Sequence, residues 1–227
     1  MNYKRPIALT ERTVTRRIFS PLAYEVVRAA WYCPIVASEA MKQAAHCPVV
    51  WKKMNGGLAL VAIRAFHHLP AAYLANSAGY AALPLLCQAY PFLWLPDGQK
   101  GLDDVNADRP TDLGSPIVAA DHKLTKATTM RFAALQVYER ARMATQDLTS
   151  QAAELDLFMP WQLPLQGPGL DELLVLKTDI WESTKFQKLV VRFGSEAAEL
   201  VALHRMSLFK AGPLLEAAAK AANIKGP

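Results

Sequence analysis

The sequence predicts an α+β fold, a small antiparallel sheet packed with two or more helices in a single domain. Three observations carry this. Pro48 to Ile63 reads as two short β-type runs around Asn55-Gly56-Gly57, a strong hairpin turn signal. Leu124 to about Leu155 has helical periodicity without a proline or glycine. The composition, 52% apolar and 20% charged over 227 residues, is that of a folded core. That length suits one large core or two small ones.

In chain order, residues 1–20 read as a basic N-terminal arm, 21–210 as the α+β domain and 211–227 as a tail helix. Leu22, Val26, Val27 and Ala30 step at helical spacing, and Ser38-Glu39 opens a helical turn through Met41 and Ala45. The hairpin follows, with Leu58 to Ile63 as its returning strand. Pro70 to Tyr90 reads as one or two short buried helices ended near Pro91. Leu95 to Pro116, rich in Asp, Pro and Gly, reads as a loop and as the best hinge between two halves. On the long helix, Met130, Ala134, Val137, Ala141, Ala144 and Leu148 form the expected buried stripe, with Arg131 and Glu139 outside it. Leu173 to Lys177 is a short apolar strand. Ser195 caps a helix running to about Phe209, and Gly212-Pro213 starts an alanine-rich, exposed last helix.

Of the net charge of +5, +4 falls in the first seventeen residues: Lys4, Arg5, Arg12, Arg16 and Arg17 against Glu11. Such an arm makes weak contact with an anionic membrane a reading to test. No aromatic residues alternate with these charges beyond Tyr3, so no nucleic-acid partner is expected. Pro21, Glu25 and Arg28 interrupt any signal-peptide core, and a cytoplasmic protein is expected. Ala65 to Pro96 is free of charged residues, but its prolines and polar groups read as buried core rather than a membrane span. Cys33, Cys47 and Cys87 sit among apolar residues and read as buried thiols.

No motif for a metal, nucleotide or other cofactor stands out, and none is expected. His67-His68 lacks a third ligand at any useful spacing. Asp103, Asp104, Asp108, Asp112 and Asp121 lack EF-hand order and read as solvated loop acids. His204 and Ser207 lie three apart on a predicted helix, where a dyad is conceivable but backbone bonding is the plainer reading. Tyr90, Phe92, Trp94 and Trp161 are aromatic anchors beside prolines, able to line a peptide-binding groove or to close a core.

Five blocks in order resemble the SapC family of bacterial proteins, from about Ser38 to Leu214. The first is Pro48-Val49-Val50-Trp51, similar to a Pro-Ile-Val-Phe segment, followed by the aliphatic strand Leu58 to Ala62. The second is Tyr90-Pro91-Phe92, preceded by Tyr80, Pro84 and Leu85. The third is the long helix leading into Leu155 to Trp161. The fourth holds Lys185 and Leu189, and the fifth is the His204 to Ser207-Leu208 segment. The chain departs from the pattern at Gln88, where an arginine is usual, and at 64–80, where the central Trp-Tyr segment is not recognisable. The acidic strand expected after Tyr-Pro-Phe is represented by Leu102-Asp103-Asp104.

The resemblance implies an accessory protein, tied by its family name to bacterial surface-layer systems, with no catalytic residue to carry over. The expectation is a non-catalytic binding protein with a protein or peptide partner, linked to cell-surface export or uptake. The alternative is a peptide- or small-molecule-modifying enzyme with a site around His204 and Ser207 or His67. The sequence leaves a homo-oligomer open.

Overall fold

The structure, a computed structural model, describes residues 3–66, 83–110 and 112–224. His67, His68 and most of the charge-free run lie outside the described residues. The strands are β1 (Pro6–Ala8), β2 (Arg17–Ile18), β3 (Tyr32–Pro34), β4 (Val49–Met54), β5 (Gly57–Ile63), β6 (Phe92–Trp94), β7 (Lys100–Asp103), β8 (Ser115–Pro116), β9 (Phe158–Pro160) and β10 (Leu173–Leu176). The helices are α1 (Glu25–Ala29), α2 (Ala40–Ala44), α3 (Leu85–Ala89), α4 (Lys126–Glu154), α5 (Thr184–Phe193), α6 (Ser195–Ser207) and α7 (Ala211–Ile224). The fold is α+β, as the sequence predicts, and every strand pairing among the described residues is antiparallel.

The chain divides into two compact units, each made from two stretches: residues 1–30 with 70–139, and residues 31–69 with 140–227. The changeovers fall at 30/31, 69/70 and 139/140. Leu95 to Pro116, read from sequence as a hinge, lies wholly inside the first unit and contributes β7 and β8.

The second unit is built on a five-stranded sheet in the order β3-β5-β4-β10-β9. The predicted hairpin is its centre, with Val49 opposite Ala62 and Met54 opposite Gly57. Period-two alternation sends Val49, Trp51, Leu60, Ala62, Leu174 and Leu176 to one face, where Leu148, Leu189, Leu200 and Val201 cover them. Val50, Val61, Ile63, Leu173 and Val175 face the other way, onto Phe66, Ala211, Leu214 and Ala218. Burial on both faces explains why these strands are apolar runs rather than alternating patterns. It also corrects the reading of the last helix: α7 is no exposed tail, because Ala211, Leu214 and Ala218 are buried against the sheet.

The first unit has two smaller sheets, β1-β7-β6 and β2-β8. Residues 6–8 pair with β7, Pro6 opposite Asp103 and Ala8 opposite Gly101, so the segment read as an arm supplies an edge strand. Lys4, Arg5 and Arg16 are engaged locally. Lys4 pairs with Glu25 at 2.9 Å, and Arg5 and Arg16 both pair with Asp104.

Three of the edge strands, β1, β3 and β9, share a feature. Leu9 N and Asp104 N bond to Lys100 O and Arg5 O, which turns the backbone of Pro6 off its sheet. Bonds from Ile35 N to Leu60 O and from Arg64 N to Trp31 O do the same for Pro34 in β3. Bonds from Trp161 N to Leu173 O and from Lys177 N to Leu157 O do it for Pro160 in β9.

α4 spans 29 residues, and its first and second halves belong to different units. Thr125 caps its start, its hydroxyl oxygen accepting from Thr128 N at 3.4 Å. Asp156, at φ 54°, ends it, with Leu157 N bonded to Ala152 O and Asp156 N to Ala153 O, a Schellman closure. The buried stripe is rotated from the expected one. Phe132, Leu135, Tyr138 and Leu148 are buried, as are the polar Thr128, Arg131, Thr145 and Thr149, while Met130 and Val137 are about half exposed.

Candidate functional site

The residues that follow the Tyr-Pro-Phe block form a hub in the first unit. β7 presents Asp103, only 1% exposed, to three donors. Its oxygens accept from the Tyr90 hydroxyl at 2.8 Å, Arg5 N at 2.6 Å and Lys4 N at 3.1 Å. Burial raises the Tyr90 phenol well above its ordinary range, and the Asp103 carboxylate adds to the shift. Tyr90 therefore stays protonated and donating. Its ring stacks on Tyr3 at 6.1 Å and meets Tyr24 edge-on at 4.9 Å. The Tyr90–Pro91 peptide is cis. From α4, Arg131 reaches down with Nη1 to Tyr90 O at 2.7 Å and with Nη2 to Phe19 O.

Beside this hub, still within the first unit, opens a cleft of about 420 Å³. Ile18, Phe19, Pro91 and Leu102 supply apolar lining, and Arg16, Arg17 and Asn106 supply polar lining. Arg17 is fixed by donating through Nε to Leu113 O and through Nη2 to Gly114 O, each at 2.7 Å. Gly114 sits at φ 66° with the Phe19 ring 2.8 Å from where a Cβ would stand, so only glycine fits there.

The acids read as a solvated cluster have separate structural tasks. Asp103 is the hub and Asp104 takes Arg5 and Arg16. Asp108 pairs with Arg28 and accepts from Glu25 N at 2.7 Å. Only Asp112 and Asp121 are exposed turn formers, bonded to Gly114 N and Lys123 N.

In the second unit, His204 and Ser207 on α6 converge on one residue of β4. His204 is fully buried, and its Nδ1 lies 2.7 Å from Val49 O. A carbonyl only accepts, so Nδ1 carries the proton, and Nε2 accepts from Leu176 N at 3.3 Å. Burial lowers the His204 pKa to about 4, so the ring is neutral. Ser207 accepts from Val49 N at 2.9 Å and donates to His204 O at 2.7 Å. Both side chains thus tie a helix to strand backbone, and neither faces a space where a substrate could sit. Trp51 lies 5.0 Å from the His204 ring and donates to Thr149 Oγ1 at 3.2 Å.

The remaining residues named from sequence lie in both units. Tyr90 and Phe92 are fully buried, the Phe92 ring lying tilted against Phe132 at 4.6 Å. Trp94 is half-buried against Phe132, and Trp161 is half-buried against Phe66 at 5.8 Å. Pro48 accepts from Ile63 N through its carbonyl, and Lys185 pairs with Asp156 at 3.4 Å. Cys33, Cys47 and Cys87 are buried. Sequence reasoning missed Arg131, the cleft arginines, and Lys52, a buried lysine paired with Glu172 and lying over the Trp31 and Tyr32 rings. Among the described residues, no helix is long and apolar enough to cross a membrane.

The blocks that carried the resemblance therefore meet in pairs: Val49 with His204 and Ser207, Tyr90 with Asp103, and Asp156 with Lys185. No curated protein and no solved structure matches the chain. A family model described as SapC matches residues 16–208. That match spans most of the sequence, and the chain belongs to the SapC family.

Proposed function

We propose that this SapC-family protein is a non-catalytic binding protein whose partner is a protein or peptide, serving export or uptake at the cell surface. One observation carries the reading. The motif-block side chains Tyr90, His204 and Ser207 are buried and bonded within the fold, Tyr90 to the Asp103 carboxylate and the other two to backbone. What faces solvent beside the Tyr90 hub is a cleft of mixed apolar and basic character, within the first unit. An enzyme built on His204 and Ser207 would need one of their heteroatoms directed at a substrate, and all are engaged.

The test is site-specific photo-crosslinking in the native organism. A benzophenone side chain replaces exposed Asn106 at the cleft or, as a control, exposed Lys188 on α5. A protein adduct from position 106 that is absent at 188 is the expected result. Adducts at neither position, from both soluble and membrane fractions, would overturn the reading. Alanine at Tyr90 or Phe92 is unsuitable as a control because it opens a cavity in the core.

A further inference from the structure

The chemistry of the cleft specifies which part of a partner it fits, given the binding reading above. Its floor is apolar, formed by Ile18, Phe19, Pro91 and Leu102. Arg17 stands in its lining already immobilised by two carbonyl bonds, which leave Nη1 without a partner among the described residues. Arg16, also in the lining, donates through Nη1 to Asp104, and its Nε and Nη2 have no partner among the described residues. The carboxylate in the lining, Asp103, is already capped by three donors. In the lining two guanidinium groups, those of Arg16 and Arg17, thus stand against one carboxylate, Asp103, which is capped. The local charge favours an anion.

We propose that the cleft binds the C-terminal residue of a peptide, with its α-carboxylate on Arg17 and Arg16 and an apolar side chain on the floor. A guanidinium fork matches a carboxylate in geometry as well as charge, and a fork fixed in advance loses little entropy on binding. The carboxylate and side chain of a terminal residue leave the same Cα, so one residue reaches both walls of a small site. An internal Asp or Glu brings its carboxylate there without an apolar group. A volume of about 420 Å³ is at the low end for small-ligand sites and suits a chain end rather than a long segment. Strand addition along β1 is opposed by Pro6, whose backbone faces off the sheet with no N–H to give.

The experiment uses the full chain and fluorescein-labelled hexapeptides ending in Leu, Val, Phe or Ala, each as free acid and as C-terminal amide. Fluorescence anisotropy reads binding at low and at physiological salt. The expected result is saturable binding of at least one free acid, weakened tenfold or more by amidation and weakened by salt. Arg17→Gln is expected to weaken it tenfold or more. Arg12→Gln, which removes an exposed charge outside the cleft lining, should leave it within twofold. Asn106→Trp, at an exposed lip position where folding is not at risk, should block the cleft and abolish binding. Amides that bind as well as acids would overturn carboxylate recognition while leaving a peptide-binding protein. Equal losses in Arg17→Gln and Arg12→Gln would reduce the effect to general charge and overturn the site. No binding by any peptide would overturn this proposal alone, since the crosslinking experiment judges the partner reading separately.

Discussion

In the second unit, both faces of a five-stranded sheet are covered by apolar side chains, and the buried His204 and Ser207 bond to strand backbone. In the first, sheets of three and two strands are too small for such layering, and Asp103 and Arg131 gather the chain instead. The comparison teaches that the two units respond to different insults. Layered apolar cores fail when a face is uncovered. Hubs of buried charge fail when one partner is removed, because the rest are left unpaired in a dry place.

The largest expected effect is at the cover of the second unit. Leu214→Asp places a carboxylate in the core beneath α7, and a loss above about 5 kcal/mol is expected, since Leu→Ala alone costs roughly 2–5 kcal/mol at such sites. Hydrogen exchange should quicken over β5 and β10 before it does over β1 and β7. Equal acceleration everywhere would break the distinction between the units.

Asp103→Ala comes next. It strands the buried Tyr90 hydroxyl and two part-buried backbone N–H groups, and a loss of about 4 kcal/mol is expected, at roughly 1–3 kcal/mol for a buried donor and less for each part-buried one. Exchange should quicken first at residues 4–8. If β4 and β5 respond first, the hub is not what holds the first unit.

A smaller effect is set by pH. His204 titrates at about 4 when folded and near 6.5 when unfolded. Between those values the unfolded chain binds the extra proton, so stability is lost as pH falls through the window. The shift is worth roughly 3 kcal/mol when complete. Urea melts of the protein from pH 7 to 4 should show this slope, and His204→Gln should lack its share of it. An unchanged slope in that variant would place the pH sensitivity elsewhere.

The smallest effect is at the surface. Lys4→Gln removes an ion pair whose side chains are more than half exposed, and stability should stay within about 0.5 kcal/mol. A larger loss in a thermal melt would mean that the charges of the N-terminal strand matter beyond their backbone bonds.

The parts legible in the sequence are those governed by local chemistry and apolar period. Asn55-Gly56 and its flanking runs gave the hairpin, and the uninterrupted pattern from Leu124 gave the long helix. The helix face was not legible, because Thr128, Arg131, Thr145 and Thr149 occupy the buried stripe and a hydrophobic period cannot see them. Thr145 is there to accept from Ala37 N, more than a hundred residues away in sequence. Alanines hid the role of α7, since Ala211 and Ala218 bury a helix face without bulk. The cleft was hidden for a similar reason. Arg17 reads as part of a charged end until its bonds to Leu113 and Gly114, 96 and 97 residues on, are known.

The outward prolines of β1, β3 and β9 bear on what this protein does at high concentration. A sheet edge is a template on which any extended chain, including another copy of the same one, can zip by main-chain bonds regardless of sequence. At Pro6, Pro34 and Pro160 the rhythm of donors along the edge is broken, so a would-be neighbour loses its register within a residue or two. Promiscuous growth by backbone alone is thereby discouraged, and the choice of associate passes to side chains, which can tell one molecule from another.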